Sequence, residues 1–98
     1  MTGLSRSSGG LDARRRRLLF RSWHRGMREM DLLFGRFVEA RIEGFDDGQL
    51  AELEDLLEVP DTEMLAWITG QATVPAAYDT RLFGQIKSFQ ASGAANAD

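Results

Sequence analysis

Side chains able to carry out chemistry are few in this 98-residue chain, and the most suggestive lie near residue 25. The sequence has no cysteine, which excludes thiol catalysis and Cys-ligated zinc, and its one histidine, His24, has no second ligand at metal-binding spacing. Ser22 and Ser88 lack the GxSxG setting of a hydrolase nucleophile. We therefore expect no catalytic, cofactor-binding or metal-binding residue, and a protein that is not an enzyme.

The stretch HRGMREMD, residues 24–31, combines three basic residues, a glycine and two acids. A structural explanation is available, because a glycine between two helices often ends the first by adopting a positive φ. Arg25 would then satisfy the last carbonyls of the first helix, and Glu29 would lie at the positive end of the second. The alternative is a docking patch, in which a partner's backbone approaches Gly26 between charge-assisted bonds to Arg25 and Glu29. Spacing alone leaves both interpretations open.

The run RRRR at Arg14–Arg17 is a second candidate, because arginine and lysine neutralise nucleic-acid phosphates. Ten basic against four acidic residues give positions 1–41 a charge of +6, while two against eleven give positions 42–98 a charge of −9. The acidic part would repel a duplex, and the four arginines surround one helix. A solvated or internally paired basic face is favoured. A small helical nucleic-acid-binding regulator is the alternative function.

The elements that position these residues are predicted to be helices, since apolar residues recur at helical spacing and no segment alternates as a strand would. The third helix has the clearest start. Asp46 as N-cap with Gln49 at N3 forms a capping box, and Phe45 with Leu50 forms a hydrophobic staple. Five helices are expected, beginning near Asp12, after Gly26, at Asp46, after Pro60 and after Pro75.

The predicted fold class is all-α, a single-domain bundle of five short helices over residues 12–89. Residues 1–11 are expected to be a flexible tail and residues 90–98 a disordered one. No apolar run approaches the roughly 20 residues that span a bilayer, and the first ten residues lack the apolar centre of a secretory signal. We expect a cytoplasmic protein without membrane insertion.

The pentapeptide RGMRE, residues 25–29, resembles the R-G-x-x-E signature of the SdhE family, also called succinate dehydrogenase assembly factor 2 or FAD assembly factor. The similarity continues through FDDGQL, LAELEDLLE and MLAWI, in the family's order, from about residue 14 to residue 89. It implies a non-enzymatic five-helix bundle that binds the flavoprotein subunit of succinate dehydrogenase, and in some members that of fumarate reductase. Such proteins promote covalent attachment of FAD to a histidine of that subunit.

The resemblance also assigns the docking patch. It implies that FAD is attached to the client, that this chain binds no cofactor stably, and that nucleic acid is not its partner. On this basis Arg25→Ala and Glu29→Ala are each expected to weaken flavin attachment while the bundle stays folded. The implied partner-binding residues are Arg25, Gly26 and Glu29, with Met27, Arg28 and Asp31 as neighbours in contact.

Overall fold

The computed structural model describes residues 11–93, which form five α-helices and two short 3-10 turns and contain no strand. The all-α, five-helix prediction is confirmed for this part of the chain. Residues 1–10 and 94–98, which include most of the two predicted tails, lie outside the described residues. The helices are α1 Ala13–Trp23, α2 Arg28–Arg41, α3 Asp47–Leu57, α4 Asp61–Ile68 and α5 Arg81–Ala91, and the 3-10 turns are Ile42–Gly44 and Ala76–Tyr78.

Side-chain caps start three of the five helices. The carboxylate of Asp12 accepts a hydrogen bond from the backbone N–H of Arg15 at 2.8 Å, and this bond holds the pKa of Asp12 below its usual value. The predicted capping box of α3 is present, because Gln49 N–H donates to Asp46 at 2.8 Å and Asp46 N–H donates to Gln49 at 3.0 Å. The hydroxyl of Thr80 caps α5 by accepting one hydrogen bond from the backbone N–H of Phe83 at 3.2 Å. The local sequence therefore fixes where these helices begin.

The last helix differs from its prediction at both ends. After Pro75 the chain forms the 3-10 turn Ala76–Tyr78, and α5 begins only beyond Thr80. The apolar spacing continues across this break, so periodicity could not detect it. At its other end α5 runs to Ala91, so the prediction that the C-terminal tail begins at residue 90 was wrong by two residues.

The boundary of the N-terminal tail also differs from its prediction. Leu11, which was predicted to lie in that tail, is 6% exposed and packs in the core.

Helix α2 supplies much of the hydrophobic core. Phe34, Phe37 and Val38 are fully buried, and α2 packs against both α1 and α5. Truncating a buried phenylalanine in such a core typically costs about 3–5 kcal/mol of stability. None of the helices in residues 11–93 is both long and apolar enough to cross a membrane.

A glycine in the middle of α2 admits a side chain from α1. A Cβ on Gly35 would lie 2.2 Å from Cδ2 of Trp23, which is far inside van der Waals contact. The group that approaches the backbone at Gly35 is the indole ring of Trp23. This contact holds the C-terminal end of α1, and thus the turn that follows it, against α2.

Candidate partner-binding surface

The turn between α1 and α2 carries the sequence motif, and Asp31 holds it in place. Helix α1 ends at Trp23, and Gly26 adopts a φ of +110°, the positive value predicted for it. Oδ1 of Asp31 accepts hydrogen bonds from the backbone N–H groups of Arg25 at 2.5 Å and of Gly26 at 3.1 Å. A carboxylate in the first turns of α2 thus fixes the backbone of the motif.

The side chain of Arg25 points into the protein and is only 4% exposed. Its Nε donates to Oδ1 of Asp61 at 2.6 Å, and its Nη2 donates to the carbonyl of Val59 at 2.7 Å. Nη1 lies 3.5 Å from the carbonyl oxygen of Leu57, and Cζ lies 4.6 Å from the centroid of the Phe34 ring. Arg25 therefore binds the α1–α2 turn to the segment that connects α3 with α4.

This geometry corrects one expectation about Arg25. The carbonyls that it satisfies lie at the end of α3 and just beyond it, and not at the end of α1. Its guanidinium is committed within the chain, so it is not an exposed charge beside Gly26. Sequence reasoning missed Asp61 and Val59, which are 36 and 34 positions from Arg25. No local spacing relates residues so far apart.

The outward side of the turn consists of Gly26, Arg28 and Glu29, which we call the motif surface; all three residues are exposed. A Cβ on Gly26 would meet nothing within 4 Å, so the space beside it is open. Glu29 lies in the first turn of α2, as predicted, where a carboxylate is stabilised by the helix dipole. Met27 is the half-buried N-cap residue of α2 and makes no side-chain capping bond. Contact of the motif residues with a partner stays a prediction.

His24 is exposed and hydrogen-bonded within the chain. Its Nδ1 lies 2.7 Å from the carbonyl oxygen of Phe20. Within residues 11–93 no group of three or more histidine or acidic residues could hold a metal ion. A groove of about 330 Å³ lies beside the motif, with Arg21, His24 and Arg25 among its lining residues and residues 57–61 forming the rest.

The arginine run of α1 binds groups of the same chain. Arg14 donates from Nε and Nη2 to the carboxylate of Glu54, at 3.0 and 2.8 Å. This hydrogen bonding lowers the pKa of Glu54 and raises that of Arg14. Arg15 donates to the backbone carbonyls of Ile42 and Phe45. The internally paired interpretation of the run is thus confirmed for Arg14 and Arg15, and the nucleic-acid alternative is not supported.

Comparison with known proteins identifies the family. Residues 16–90 match the sequence model of a family described as the flavinator of succinate dehydrogenase, and this range contains the whole motif. The chain belongs to this family. The resemblance noted in the sequence is therefore confirmed, and the five-helix architecture of the described residues is that of a family member.

Individual relatives agree with this assignment. The chain is 46% identical over 65 residues to an FAD assembly factor SdhE of Acetobacter pasteurianus, covering 66% of this chain and 60% of the relative. It is 36% identical over 73 residues to a mitochondrial succinate dehydrogenase assembly factor 2 of Dictyostelium discoideum, covering 74% of this chain and 52% of the relative. The chain thus spans between half and three-fifths of the length of these curated relatives. No solved structure matches it.

Proposed function

We propose that this chain is an assembly factor that binds the flavoprotein subunit of succinate dehydrogenase and promotes covalent attachment of FAD to that subunit. The observation that carries the proposal is the family match over residues 16–90, which includes a motif whose Gly26, Arg28 and Glu29 face outward. The relatives' names associate them with FAD assembly and with succinate dehydrogenase. We include the flavoprotein subunit of fumarate reductase in the proposal, as a second protein to which this chain would promote covalent attachment of FAD.

The proposed mechanism requires no catalytic group on this chain. A client histidine must reach the flavin in one defined arrangement of the client's site. A chaperone that binds this arrangement more tightly than other arrangements raises its population by the ratio of the two affinities. A tenfold preference corresponds to about 1.4 kcal/mol, and a hundredfold preference brings a state populated at about 1% to about one half.

The motif can supply such a preference because its backbone is fixed before binding. Asp31 holds the N–H groups of Arg25 and Gly26, and the buried Arg25–Asp61 pair fastens the turn to the start of α4. A rigid turn loses little conformational entropy when a partner docks on it. Glu29 then supplies a negative charge, and the open space beside Gly26 lets a partner's backbone come close. Only a partner that satisfies both requirements at once would bind tightly.

The remaining parts of the proposal concern cofactor, location and activity. We place the FAD on the client, with no stable flavin site, no nucleic-acid binding and no enzymatic activity on this chain, and we place the protein in the cytoplasm. Titration of the purified chain with FAD, followed by flavin fluorescence, tests the first point. Cell fractionation tests the location.

The test of function is in-gel flavin fluorescence of the denatured succinate dehydrogenase flavoprotein, from cells with and without this gene. We expect covalent flavin to fall on deletion and to return with the wild-type gene. Glu29→Ala should fail to restore it while keeping a thermal midpoint close to that of the wild type, since the carboxylate is exposed and its helix-dipole contribution is only about 0.3–1 kcal/mol. Flavin unchanged by deletion, in cells without a second such factor, would contradict the proposal.

Gly26→Ala and Gly70→Ala form a matched pair within the same experiment. Both glycines have positive φ, +110° and +81°, and a Cβ on either would meet nothing within 4 Å. Each alanine should therefore store backbone strain of about 1–3 kcal/mol and lower stability to a similar extent. Only Gly26→Ala should lose flavin attachment, because only Gly26 lies in the motif surface. Equal losses for the two variants would show that Gly26 acts through stability alone.

A further inference from the structure

Phe20 is the one large hydrophobic side chain that is strongly exposed among residues 11–93, with 58% of its surface accessible. Every other phenylalanine in that range is buried or partly buried against the core. A single exposed aromatic residue is common on protein surfaces and implies nothing by itself. Two further observations distinguish this one.

The ring of Phe20 is held in a defined orientation. It stacks on the imidazole of His24, with centroids 4.0 Å apart and an angle of 18° between the planes. Nδ1 of His24 lies 2.7 Å from the carbonyl oxygen of Phe20, and because a carbonyl oxygen only accepts, Nδ1 carries the proton. The two rings thus form one preoriented aromatic surface, which reduces the entropy lost when a partner covers it.

Basic residues extend this aromatic surface along the helix. Arg16 and Arg17 are exposed one turn before Phe20, at the spacings that place side chains on the same face. Helix α1 contains no acidic residue. We call Arg16, Arg17, Phe20 and His24 the α1 strip. At its C-terminal end it meets the motif surface, since His24 is separated from Gly26 by a single residue.

We propose that the α1 strip is a second part of the docking surface for the same flavoprotein client, with Phe20 inserted in an apolar pocket that acidic groups surround. The inference rests on the proposed function. Continuity with the motif surface selects the occupant, because a partner large enough to cover Gly26 and Glu29 also reaches the adjoining strip. The positive charge of the strip specifies the acidic rim, and the exposed ring specifies the apolar centre.

The test measures the affinity of the purified chain for the purified flavoprotein subunit, by calorimetry, for wild type and three variants. Phe20→Ala should weaken binding by about tenfold or more, as truncation of a central aromatic anchor does. Phe20→Leu should retain most of the affinity, because it keeps an apolar side chain for the pocket. Lys87→Ala, at an exposed position on α5, is the control and should bind as the wild type does. All four proteins should melt at the same temperature, since these side chains are exposed.

The outcomes separate this inference from the proposed function. The affinity of Glu29→Ala for the same flavoprotein is measured alongside. If Phe20→Ala binds like the wild type while Glu29→Ala does not, the inference is wrong and the assembly role stands. If the wild type does not bind the flavoprotein and deletion of the gene leaves covalent flavin unchanged, the assembly role itself fails. Light scattering adds a third arm. A wild-type dimer that Phe20→Ala converts to a monomer, with client affinity unchanged, would assign the strip to self-association and overturn the inference.

Discussion

Arg25 has a physical role that only an arginine can fill. Its planar guanidinium presents several N–H donors at once, and here they reach one carboxylate and two backbone carbonyls while the flat face covers the ring of Phe34. A lysine would supply the positive charge but not the planar set of N–H donors that reaches all three acceptors. Buried charges persist in proteins only when they are paired and hydrogen-bonded, and Arg25 meets both conditions. Arg25 therefore positions the turn from inside the protein, while Gly26, Arg28 and Glu29 form its exposed side.

Arg25→Ala is therefore expected to destabilise the bundle, in contrast to the expectation from the sequence. Removing the guanidinium leaves Asp61, whose side chain is 15% exposed, without its cation. Removing one partner of a buried ion pair typically costs about 3–5 kcal/mol, and the partial exposure of Asp61 places the loss at the lower end of that range. That is a large share of the 5–15 kcal/mol total of a typical domain. Urea unfolding followed by circular dichroism measures the change. An unfolding midpoint equal to that of the wild type would contradict this account.

Asp61→Asn is the companion variant, because it removes the ion pair without altering the motif residues. If Arg25 acts by fixing the turn, Asp61→Asn should also lower both stability and flavin attachment, in the same direction as Arg25→Ala. If the Arg25 guanidinium instead contacts the client, Asp61→Asn should leave flavin attachment intact.

At the scale of single residues, the sequence predicted the positive φ of Gly26 and the position of Glu29. It could not predict Asp61, because that contact depends on how α4 packs.

Within α1 and α2, the contact between Trp23 and Gly35 determines how closely the two helices meet. The indole lies directly over Gly35, and Nε1 of Trp23 is buried and has no hydrogen-bond partner among the described residues. A buried N–H without an acceptor is unfavourable, so the packing of the ring must outweigh that cost. The missing side chain at Gly35 thus leaves space on α2 that the ring of Trp23 fills.

Gly35→Ala should lower the free energy of unfolding, by up to about 2 kcal/mol once the gain in helix propensity is subtracted from the cost of overpacking. The alanine gains up to about 1 kcal/mol in helix propensity, but its Cβ would lie 2.2 Å from the Trp23 ring, and overpacking of this kind typically costs about 1–3 kcal/mol. Gly84→Ala in α5 is the matched control. A Cβ there meets nothing within 4 Å, so it should raise stability by about 0.5–1 kcal/mol. Stabilisation by both substitutions, in chemical denaturation, would show that Trp23 moves aside freely.

Helix boundaries show what the sequence could and could not predict for whole elements. The capping box at Asp46 was identified because all of its contacts lie within four residues. The late start of α5 was missed because Tyr78 and Leu82 continue the helical spacing, although a 3-10 turn and the cap at Thr80 intervene. Periodicity records which residues are apolar. It does not record whether the backbone between them is continuous.

Ion pairs between the two halves of the chain use part of its charge asymmetry. Arg14 forms ion pairs with Glu54 at 2.8 Å and with Asp47 at 3.8 Å, and Arg21 forms one with Glu58. These pairs join the basic α1 to the acidic α3 and to the residue that follows it. The sequence showed the asymmetry of +6 and −9, but it could not show which charges would pair and which would stay outside. Arg17, exposed beside Phe20, is among those left on the surface.

The Arg14–Glu54 pair makes part of the stability of the whole molecule depend on pH. Hydrogen bonds from Arg14 lower the pKa of Glu54 from its ordinary value of 4.5. A group whose pKa is lower in the folded state stabilises that state above its unfolded pKa and loses the contribution as the pH falls through the folded pKa. Arg14 stays protonated throughout this range, because an arginine does not lose its proton in acid and hydrogen bonding to Glu54 raises its pKa further. The pair should therefore stabilise the bundle at neutral pH and lose this effect on acidification below about pH 4.5.

Glu54→Gln removes the charge and should lower stability at pH 7, but it should make almost no difference at pH values below the folded pKa of Glu54. Urea unfolding of both proteins between pH 7 and pH 3 measures this convergence. Glu52→Gln, on the same helix but without an ion pair in the described structure, controls for the loss of one negative charge and should not converge in the same way.

High salt should also reduce the difference in stability between wild type and Glu54→Gln at pH 7, because the Arg14–Glu54 pair is only partly buried and is screened. A constant gap between wild type and Glu54→Gln across the pH range would mean that the glutamate acts by packing. The attraction between the two halves would then lie in the Arg21 and Arg25 pairs instead.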